Sequence, residues 1–385
     1  MFGNKRGVET RHASSLHALA AKRKIGMLDL KNYKYKDFDW ALVGSAGCIF
    51  ILGLLFLFSA TYLNNIDFML RQITWFLIGC LIFMFMVNIN YRKIVGVSYI
   101  FYFLIVGLLI LVLMIGRRAS GAQRWLEIGF LNLQPSEFAK IFITLALVQY
   151  LASHRPRGTM RDMIAPFLII AAPFILILEQ PDLGTAIMFV PVFFILLYVW
   201  GMKLRYLFLI ILIGALSSPA MWFLLKDYQR DRISVFMNPN IDPLGAGYTV
   251  IQSKIAVGSG GILGKGWLSG TQNQLNFLTE RHTDFIFSVV GEEWGFVGSM
   301  ILIGLFYVLV KRAFEIAEKT DDPYGVLTTV GLTAMIGIQV VVNISMTMGF
   351  MPVVGLPLPL VSYGGSSFLV TMMALGILES IAIHR

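Results

Sequence analysis

The chain has 385 residues, of which 57% are hydrophobic and only 14% are charged, and its mean hydropathy is +0.74. This composition excludes a soluble multidomain protein, because apolar runs of about 20 residues, the length that crosses roughly 30 Å of hydrocarbon, recur along the sequence. The net charge of +9 does not indicate a nucleic-acid partner, because most Lys and Arg residues lie in the N-terminal tail and in short connections between apolar runs.

Ten apolar runs follow a basic N-terminal tail at residues 1–39. We predict an all-α integral membrane protein, with about ten transmembrane helices in a membrane domain over residues 40–385. Residues 226–293 form the longest connection, between spans seven and eight, and their turn and aromatic residues predict short helices on the membrane surface. The predicted spans are 40–63, 72–90, 96–116, 137–152, 164–178, 183–201, 205–225, 294–310, 326–348 and 359–383.

The distribution of Lys and Arg predicts which side of the membrane each connection faces. The tail and the connections after even-numbered spans are basic, and positive charge is retained in the cytoplasm, so both termini are predicted to be cytoplasmic. Most of the connections that would then face outward hold unusual polar sequences: 121–137, 179–186, 226–293 and 348–367. We therefore expect the chemistry of this protein at the outer face of a membrane, where ATP is absent.

Two of the outward sequences carry ionisable residues at the start of a predicted span. Glu137 and Lys140 stand three residues apart and share a helix face, which predicts an ion pair, and ionisable residues inside spans usually mark a functional site. Asp182, in EQPDLGTA, can cap the sixth span by accepting a backbone N–H, and this structural role is favoured over direct catalysis. Small residues in SYGGSSFLV, at 362–370, predict close packing between helices, with a ligand role for Ser366 or Tyr363 as the less favoured alternative.

The outward cations would suit an anionic lipid substrate, because guanidinium groups match phosphate oxygens well. For any one of them alone, a solvated loop charge remains the ordinary interpretation. They are Arg124, Arg230, Arg232, Lys254, Lys265 and Arg281. Lys265 belongs to the glycine-rich sequence GSGGILGKG, whose spacing does not match a nucleotide-binding P-loop. A backbone nest for pyrophosphate and simple close packing are equal alternatives for it.

Three carboxylates near the start of the eighth span are candidate bases: Asp284, Glu292 and Glu293. A carboxylate at the boundary of an apolar run is partly desolvated, which raises its pKa and makes it a better base. The spacing of the three residues does not choose between them.

The ordered motifs of this chain resemble those of the SEDS family (shape, elongation, division and sporulation). They are GAQRW, QPSEFAK, QPDLGTA, DYQRDR, NPNIDPLGAGY, QSKIAVGSGGILGKG, ERHTDFIF, GEEWG and PLPLVSYGGSS. The resemblance extends from about residue 40 to residue 385, and DYQRDR and GTQNQLNFLTERHTDFIF are more similar to the elongation branch than to the division branch. It implies a peptidoglycan glycosyltransferase of the bacterial cytoplasmic membrane, which polymerises lipid II outside the membrane. It also implies a class B penicillin-binding protein as partner in an elongation complex.

The resemblance also implies roles for individual residues. Asp284 matches the essential acid of the large outer loop, and it would act as general base in an inverting displacement of the undecaprenyl pyrophosphate. Cations such as Lys140, Arg124 or Arg230 would stabilise the departing pyrophosphate, together with a divalent cation (Mg²⁺ or Mn²⁺) if one takes part; no cofactor is otherwise implied. The predicted substrate-binding residues are Glu137, Lys140, Arg124, Asp182, Arg230, Arg232, Lys265 and Arg281.

Two functions from other classes compete with the enzyme. A lipid II flippase would also place charged residues near a bilayer, but it needs polar groups along the whole path, whereas here they concentrate on the predicted outer side. A scaffold that only recruits the cross-linking partner would leave the outward acids without a role. The sequence therefore favours the glycosyltransferase.

Overall fold

The computed structural model of the chain describes residues 37–62, 67–119, 122–128, 131–223, 225–243, 245 and 247–385. The predicted basic tail lies outside the described residues as far as residue 36. Within these ranges the helices are α1 (Trp40–Thr61), α2 (Asp67–Asn88), α3 (Tyr91–Gly96), α4 (Ser98–Ile115), α5 (Pro135–Ser153), α6 (Ile164–Glu179), α7 (Leu183–Trp200), α8 (Leu204–Trp222), α9 (Asp227–Met237), α10 (Tyr248–Ser259), α11 (Thr271–Gln274), α12 (Ile286–Glu318), α13 (Pro323–Thr347) and α14 (Gly365–His384). Short 3₁₀ helices occur at Met160–Met163 and Pro239–Ile241.

Eight helices of the described chain are long and apolar enough to cross a membrane. They are α1, α2, α4, α6 with the 3₁₀ turn before it, α7, α12, α13 and α14. The predicted spans 137–152 and 205–225 also form helices, α5 and α8, but fall outside this set. Helix α5 carries the charged Glu137 and Lys140 near its start, and the apolar part of α8 is shorter. The all-α membrane fold is confirmed, and the number of ten spans stays a prediction.

A small antiparallel sheet, which the sequence analysis did not predict, connects α4 to α5. Its strands are β1 (Arg117–Ala119), β2 (Ala122–Ile128) and β3 (Leu131–Leu133), in the order β1-β2-β3. The second hairpin pairs β2 with β3, from Leu126 opposite Leu133 to Ile128 opposite Leu131. The sheet matters for the site because its central strand carries Arg124.

Helix α14 is the centre of the bundle, since 94% of its apolar window is buried, compared with 22% for α2. In a bilayer an apolar helix can equally face lipid, as α4 does although it is more apolar than α14, so the burial of α14 follows from close packing of its small residues. Small residues permit the contact of α14 with α2: a Cβ added at Gly365, within SYGGSSFLV, would collide with the ring of Trp75, and one at Gly376 would lie 2.9 Å from the carbonyl oxygen of Phe83. The predicted close packing of this helix is confirmed.

The long connection between α8 and α12 contains the predicted short helices, α9 to α11. Its glycine-rich turn packs against α12 at a point where that helix is interrupted. The break is at Gly295, whose φ of +63° is left-handed. Phe296 N–H donates to the carbonyl of Gly261 at 2.9 Å, and Val297 N–H donates to the carbonyl of Ile262 at 3.1 Å. The turn therefore supplies acceptors that the interrupted helix lacks. Of the two alternatives for GSGGILGKG, close backbone packing is the one observed.

Candidate functional site

Asp284 lies half-buried in the turn that precedes α12. Its carboxylate faces Gly355: a Cβ added to this glycine, whose φ is +76°, would lie 3.4 Å from Asp284 Oδ2. No hydrogen bond or ion pair to the carboxylate occurs within the part of the chain that the structure describes, whereas its backbone oxygen accepts from Asn343 Nδ2 at 2.9 Å. An acid that is fixed through its backbone but has a free carboxylate is available for a substrate.

The surroundings of Asp284 raise its pKa to about 6. Burial is the largest cause, and the carboxylate of Glu280 adds to it, while the guanidinium groups of Arg232 and Arg124 act in the opposite direction. Since a general base works best when its pKa lies near the working pH, this value suits Asp284 to accept a proton at neutral pH.

Arg124 is held against the connection between α6 and α7. Its Nε donates to the carbonyl of Gln180 at 3.2 Å, another of its nitrogens donates to the carbonyl of Pro181, and Nη1 lies 3.8 Å from Asp182 Oδ1. The guanidinium is mostly buried, with 18% of its side chain exposed. This placement brings one of the predicted outward cations into the charged surroundings of Asp284.

Asp182 is buried and its carboxylate is fully used by protein donors. Oδ1 accepts from the N–H of Thr185 at 3.3 Å and so caps α7, as predicted. Oδ2 accepts from Ser136 Oγ at 2.7 Å and from Gln134 Nε2 at 3.1 Å. An acid with this set of partners fixes the start of α7 and the position of Arg124, and it does not have a free oxygen for proton transfer.

Arg232, on α9, is the second cation beside Asp284. Its Nη1 donates to the carbonyl of Val353 at 2.7 Å, close to the glycine that faces the base. Burial lowers the pKa of Arg232, and the charge of Arg124 lowers it further, while Asp284 and Asp182 raise it. Two guanidinium groups that repel each other in a partly buried place are stabilised by an anion between them.

Glu137 and Lys140 form the predicted ion pair on one face of α5, with Lys140 Nζ 2.8 Å from Glu137 Oε2. Both side chains are almost completely buried. Lys140 Nζ also donates to Gln339 Oε1 at 2.9 Å, and Gln339 Nε2 donates to the carbonyl of Pro357 at 2.8 Å. The pair is thus linked through Gln339 to the segment that contains Gly355. Contact of Glu137 or Lys140 with a substrate stays a prediction.

The remaining predicted cations are separated from one another by the fold. Arg230 donates to the carbonyls of Trp222 and Phe223 at the end of α8, at 3.2 and 3.1 Å. Arg281 donates to the carbonyl of Ala60 near the end of α1, at 2.7 Å. Each of these guanidinium groups thus donates hydrogen bonds to carbonyl oxygens at the C-terminal end of a helix, which is a structural role. Substrate binding by Arg230 and Arg281 stays a prediction.

The partly exposed Lys265 forms an ion pair with the buried Glu292, with Nζ 2.8 Å from Oε1. Glu292 Oε1 also accepts from the N–H of Gln272 at 3.0 Å, and Oε2 accepts from the N–H of Asn273 at 3.3 Å, so this acid holds the start of α11. The N–H groups of Lys265 and Gly266 donate to the carbonyls of α12, which leaves them unavailable for a phosphate nest. Binding of substrate by Lys265 stays a prediction.

Glu293, the third candidate base, is completely buried. Its Oε1 accepts from Ser59 Oγ and, at 3.4 Å, from Asn273 Nδ2. Glu292 and Glu293 are therefore built into the contact between α1, α11 and α12. Of the three acids that the sequence left open, Asp284 is the one whose carboxylate is free.

Three residues that shape the site were not predicted from the sequence: Gly355, Gln339 and Asn343. The two amides lie one helical turn apart in α13, a helix apolar enough to cross a membrane, and amide side chains inside a span are a signal that could have identified them. No group of three or more His, Cys, Asp or Glu side chains able to hold a metal occurs among the residues that the structure describes. A divalent cation in the reaction stays a prediction.

Comparisons with known proteins identify the family of the chain. A family model described as "Cell cycle protein", which covers FtsW, RodA and SpoVE, matches residues 38–385. The chain is 42% identical, over 84% of its length and 87% of the relative, to "Peptidoglycan glycosyltransferase MrdB" of Escherichia coli strain K12.

Two solved structures are similar over nearly the whole chain. One, described as "Structural coordination of polymerization and crosslinking by a peptidoglycan synthase complex", has a TM-score of 0.80 and 38% identity, and covers 90% of this chain and 98% of that one. The crystal structure of the rod shape determining protein RodA of Thermus thermophilus has a TM-score of 0.69 and 33% identity, and covers 90% and 97%. The chain therefore belongs to the SEDS family, as a RodA-like member.

Proposed function

We propose that Asp284 is the general base with which this peptidoglycan glycosyltransferase polymerises lipid II at the outer face of the bacterial cytoplasmic membrane. The observation that carries the proposal is a partly desolvated carboxylate that faces Gly355, has no hydrogen bond within the described residues, and is subject to the positive charges of Arg124 and Arg232. The names of the relatives support the glycosyl transfer and its role in elongation. The geometry supports the choice of base.

The proposed reaction is one displacement with inversion. Asp284 takes the proton of the acceptor sugar's 4-hydroxyl while that oxygen attacks C1 of the donor. The bond from C1 to the undecaprenyl pyrophosphate breaks, and the pyrophosphate leaves with the bonding electrons. An α-linked donor then gives a β-linked product. This route needs a single carboxylate, whereas retention needs a second one as nucleophile, about 5 Å from the first. Glu292 and Glu293 are engaged elsewhere, which supports inversion.

Arg124 and Arg232 are the cations best placed to stabilise the departing pyrophosphate. Guanidinium groups fixed in advance where negative charge develops lower the barrier without having to reorganise. Both are fixed by backbone carbonyls, Arg124 by Gln180 and Arg232 by Val353, and retain other N–H groups for a ligand. Lys140 and Arg230 are less suited, because the first is buried against Glu137 and the second is bonded to the end of α8.

An apolar groove offers a place for a lipid chain next to this site. Its volume is about 570 Å³, and it lies between α7, α12 and α13. It reaches Met351, Pro352 and Val354, on either side of the carbonyl that holds Arg232. A pyrophosphate at the two guanidinium groups would therefore have its isoprenoid chain near a membrane-facing apolar surface.

The orientation and the partner are part of the same proposal. The positive-inside pattern supports cytoplasmic termini, and so an outward position of Asp284. A similar structure is described as part of a complex that polymerises and cross-links peptidoglycan. We propose a class B penicillin-binding protein as the corresponding partner of this chain.

The purified chain, alone and with a class B penicillin-binding protein, is expected to convert lipid II into glycan polymer in detergent micelles. Transport has no meaning in a micelle, so polymer in this assay separates an enzyme from a flippase. The products are measured by gel separation of labelled glycan strands. The opposite result is a chain that is folded by size-exclusion and thermal criteria but makes no polymer with any partner tested. This result would favour the flippase or the scaffold over the enzyme.

The polymerisation rate is expected to fall about tenfold per pH unit below pH 6, because protonated Asp284 cannot act as a base. Arg232 lowers the pKa of Asp284, so Arg232→Gln should move this acid limb to higher pH; Glu280 raises the pKa, so Glu280→Gln should move it to lower pH. The measurement is kcat/KM against pH for the three proteins. Identical limbs in all three would show that a different group titrates.

A further inference from the structure

Three consecutive backbone carbonyls that lead into α12 are each held by a different donor. The carbonyls of residues 282, 283 and 284 accept, in that order, from Tyr363 N–H at 2.8 Å, Ser362 Oγ at 2.5 Å and Asn343 Nδ2 at 2.9 Å. We call this set of three contacts the carbonyl clamp. It fixes the backbone of the base from two sides, α13 and the segment before α14.

The donors of the clamp are themselves fixed. Asn343 is completely buried, and its Nδ2 also donates to the carbonyl of Leu356 at 2.7 Å. Ser362 Oγ accepts from the N–H of Leu358 at 2.8 Å. The clamp therefore ties Asp284 to residues 355–363, the segment whose Gly355 faces the carboxylate.

We propose that Ser362 and Asn343 are positioning residues, which hold the backbone of Asp284 so that its carboxylate stays over Gly355. The inference rests on the proposed role of Asp284 as base. A buried amide in a membrane helix is costly unless its hydrogen bonds are made. Asn343 Nδ2 makes two such bonds, one to the carbonyl of Asp284 and one to the carbonyl of Leu356, beside Gly355. Proton transfer is sensitive to such placement, since a shift of about 1 Å can cost on the order of 100-fold in rate.

Ser362→Ala is expected to lower kcat at least about tenfold with KM unchanged, because the substrate still binds while the base is displaced. The acid limb of the pH profile should also move to lower pH, because a carboxylate that leaves Gly355 gains water. Ser362→Thr keeps the hydroxyl and should restore both quantities. Asn343→Leu, which removes the third contact of the clamp at similar volume, should act in the same direction as Ser362→Ala.

Ser380→Ala is the matched control. Ser380 is also a buried serine whose Oγ donates to a backbone carbonyl at 2.5 Å, that of Ile89, but it lies near the opposite end of α14. It should lose thermal stability to the same extent as Ser362→Ala, with kcat and the acid limb unchanged.

Two results would overturn the proposed role of the clamp. In the first, Ser362→Ala has the kcat and the acid limb of the wild type. In the second, Ser362→Ala and Ser380→Ala lose kcat equally and in proportion to their loss of thermal stability. Failure of the proposed function looks different, because there Asp284→Asn stays active or the wild type makes no polymer. An active wild type, an inactive Asp284→Asn and an unchanged Ser362→Ala reject the clamp alone.

Discussion

Asp284→Asn is expected to lower lipid II polymerisation by roughly 10²- to 10⁴-fold, the usual contribution of a general base. The amide keeps the size of the side chain and its place over Gly355 but cannot accept the proton of the attacking hydroxyl. The measurement is the initial rate of glycan formation at saturating lipid II, with the same partner protein in each reaction. Binding of lipid II should change little, since the two guanidinium groups remain.

Asp227→Asn is the control for this substitution. Asp227 belongs to the same connection between α8 and α12, and its side chain is 97% exposed. The same chemical change there should leave the rate within twofold of the wild type, as expected for a solvated charge. Undiminished polymer from Asp284→Asn would move the base to Glu292 or Glu293, and equal losses in Asp227→Asn would point to the loop as a whole.

Loss of activity in Asp284→Asn should not come from loss of stability. The pKa of Asp284 is higher in the folded chain, about 6, than the ordinary value of 3.8. The stabilisation linked to its proton is therefore complete below pH 3.8 and is lost as the pH rises through 6. At pH 8 the ionised carboxylate is unfavourable by on the order of 2–3 kcal/mol, so the neutral amide should unfold at a higher temperature than the wild type. A less stable variant would contradict this account of the site.

The sequence was sufficient where a feature depends on neighbours along the chain. The pairing of Glu137 with Lys140 follows from their spacing on a helix, and the cap by Asp182 follows from its place before an apolar run. Each of the ten apolar runs also contains a helix among the described residues, although the last helix begins at Gly365 rather than at residue 359. Each of these features involves residues at most four positions apart or the hydropathy of one segment.

The choice of base could not be read from the sequence, because it depends on distant partners. Glu292 and Glu293 differ from Asp284 only through donors that the fold brings to them, such as Ser59 on α1. The same holds for the cations, since Arg124 reaches the site through an unpredicted sheet. The break in α12 could not be predicted either, because the N–H groups of Phe296 and Val297, which follow it, donate to carbonyls of a turn more than thirty residues earlier in the chain.

Lys140→Met is expected to destabilise the protein by about 3–5 kcal/mol, because it leaves the carboxylate of Glu137 buried without its partner. Lys226→Met is the matched control: Lys226 lies at the same 2.8 Å from Glu179, but both side chains of this pair are about half exposed. The loss there should be at most about 1 kcal/mol. Both are measured as free energies of unfolding by denaturant titration in mixed micelles.

The double variant Glu137→Gln, Lys140→Met separates burial of charge from loss of a specific contact. Removing both charges should recover most of the stability that Lys140→Met loses, since the carboxylate is no longer left alone. Polymerisation should stay impaired, because Gln339 would lack the ammonium that orients it towards the Pro357 carbonyl, in the segment that faces Asp284. If the double variant recovers both stability and rate, the ion pair serves only the stability of the fold. If it recovers stability alone, the pair also positions the segment that faces Asp284.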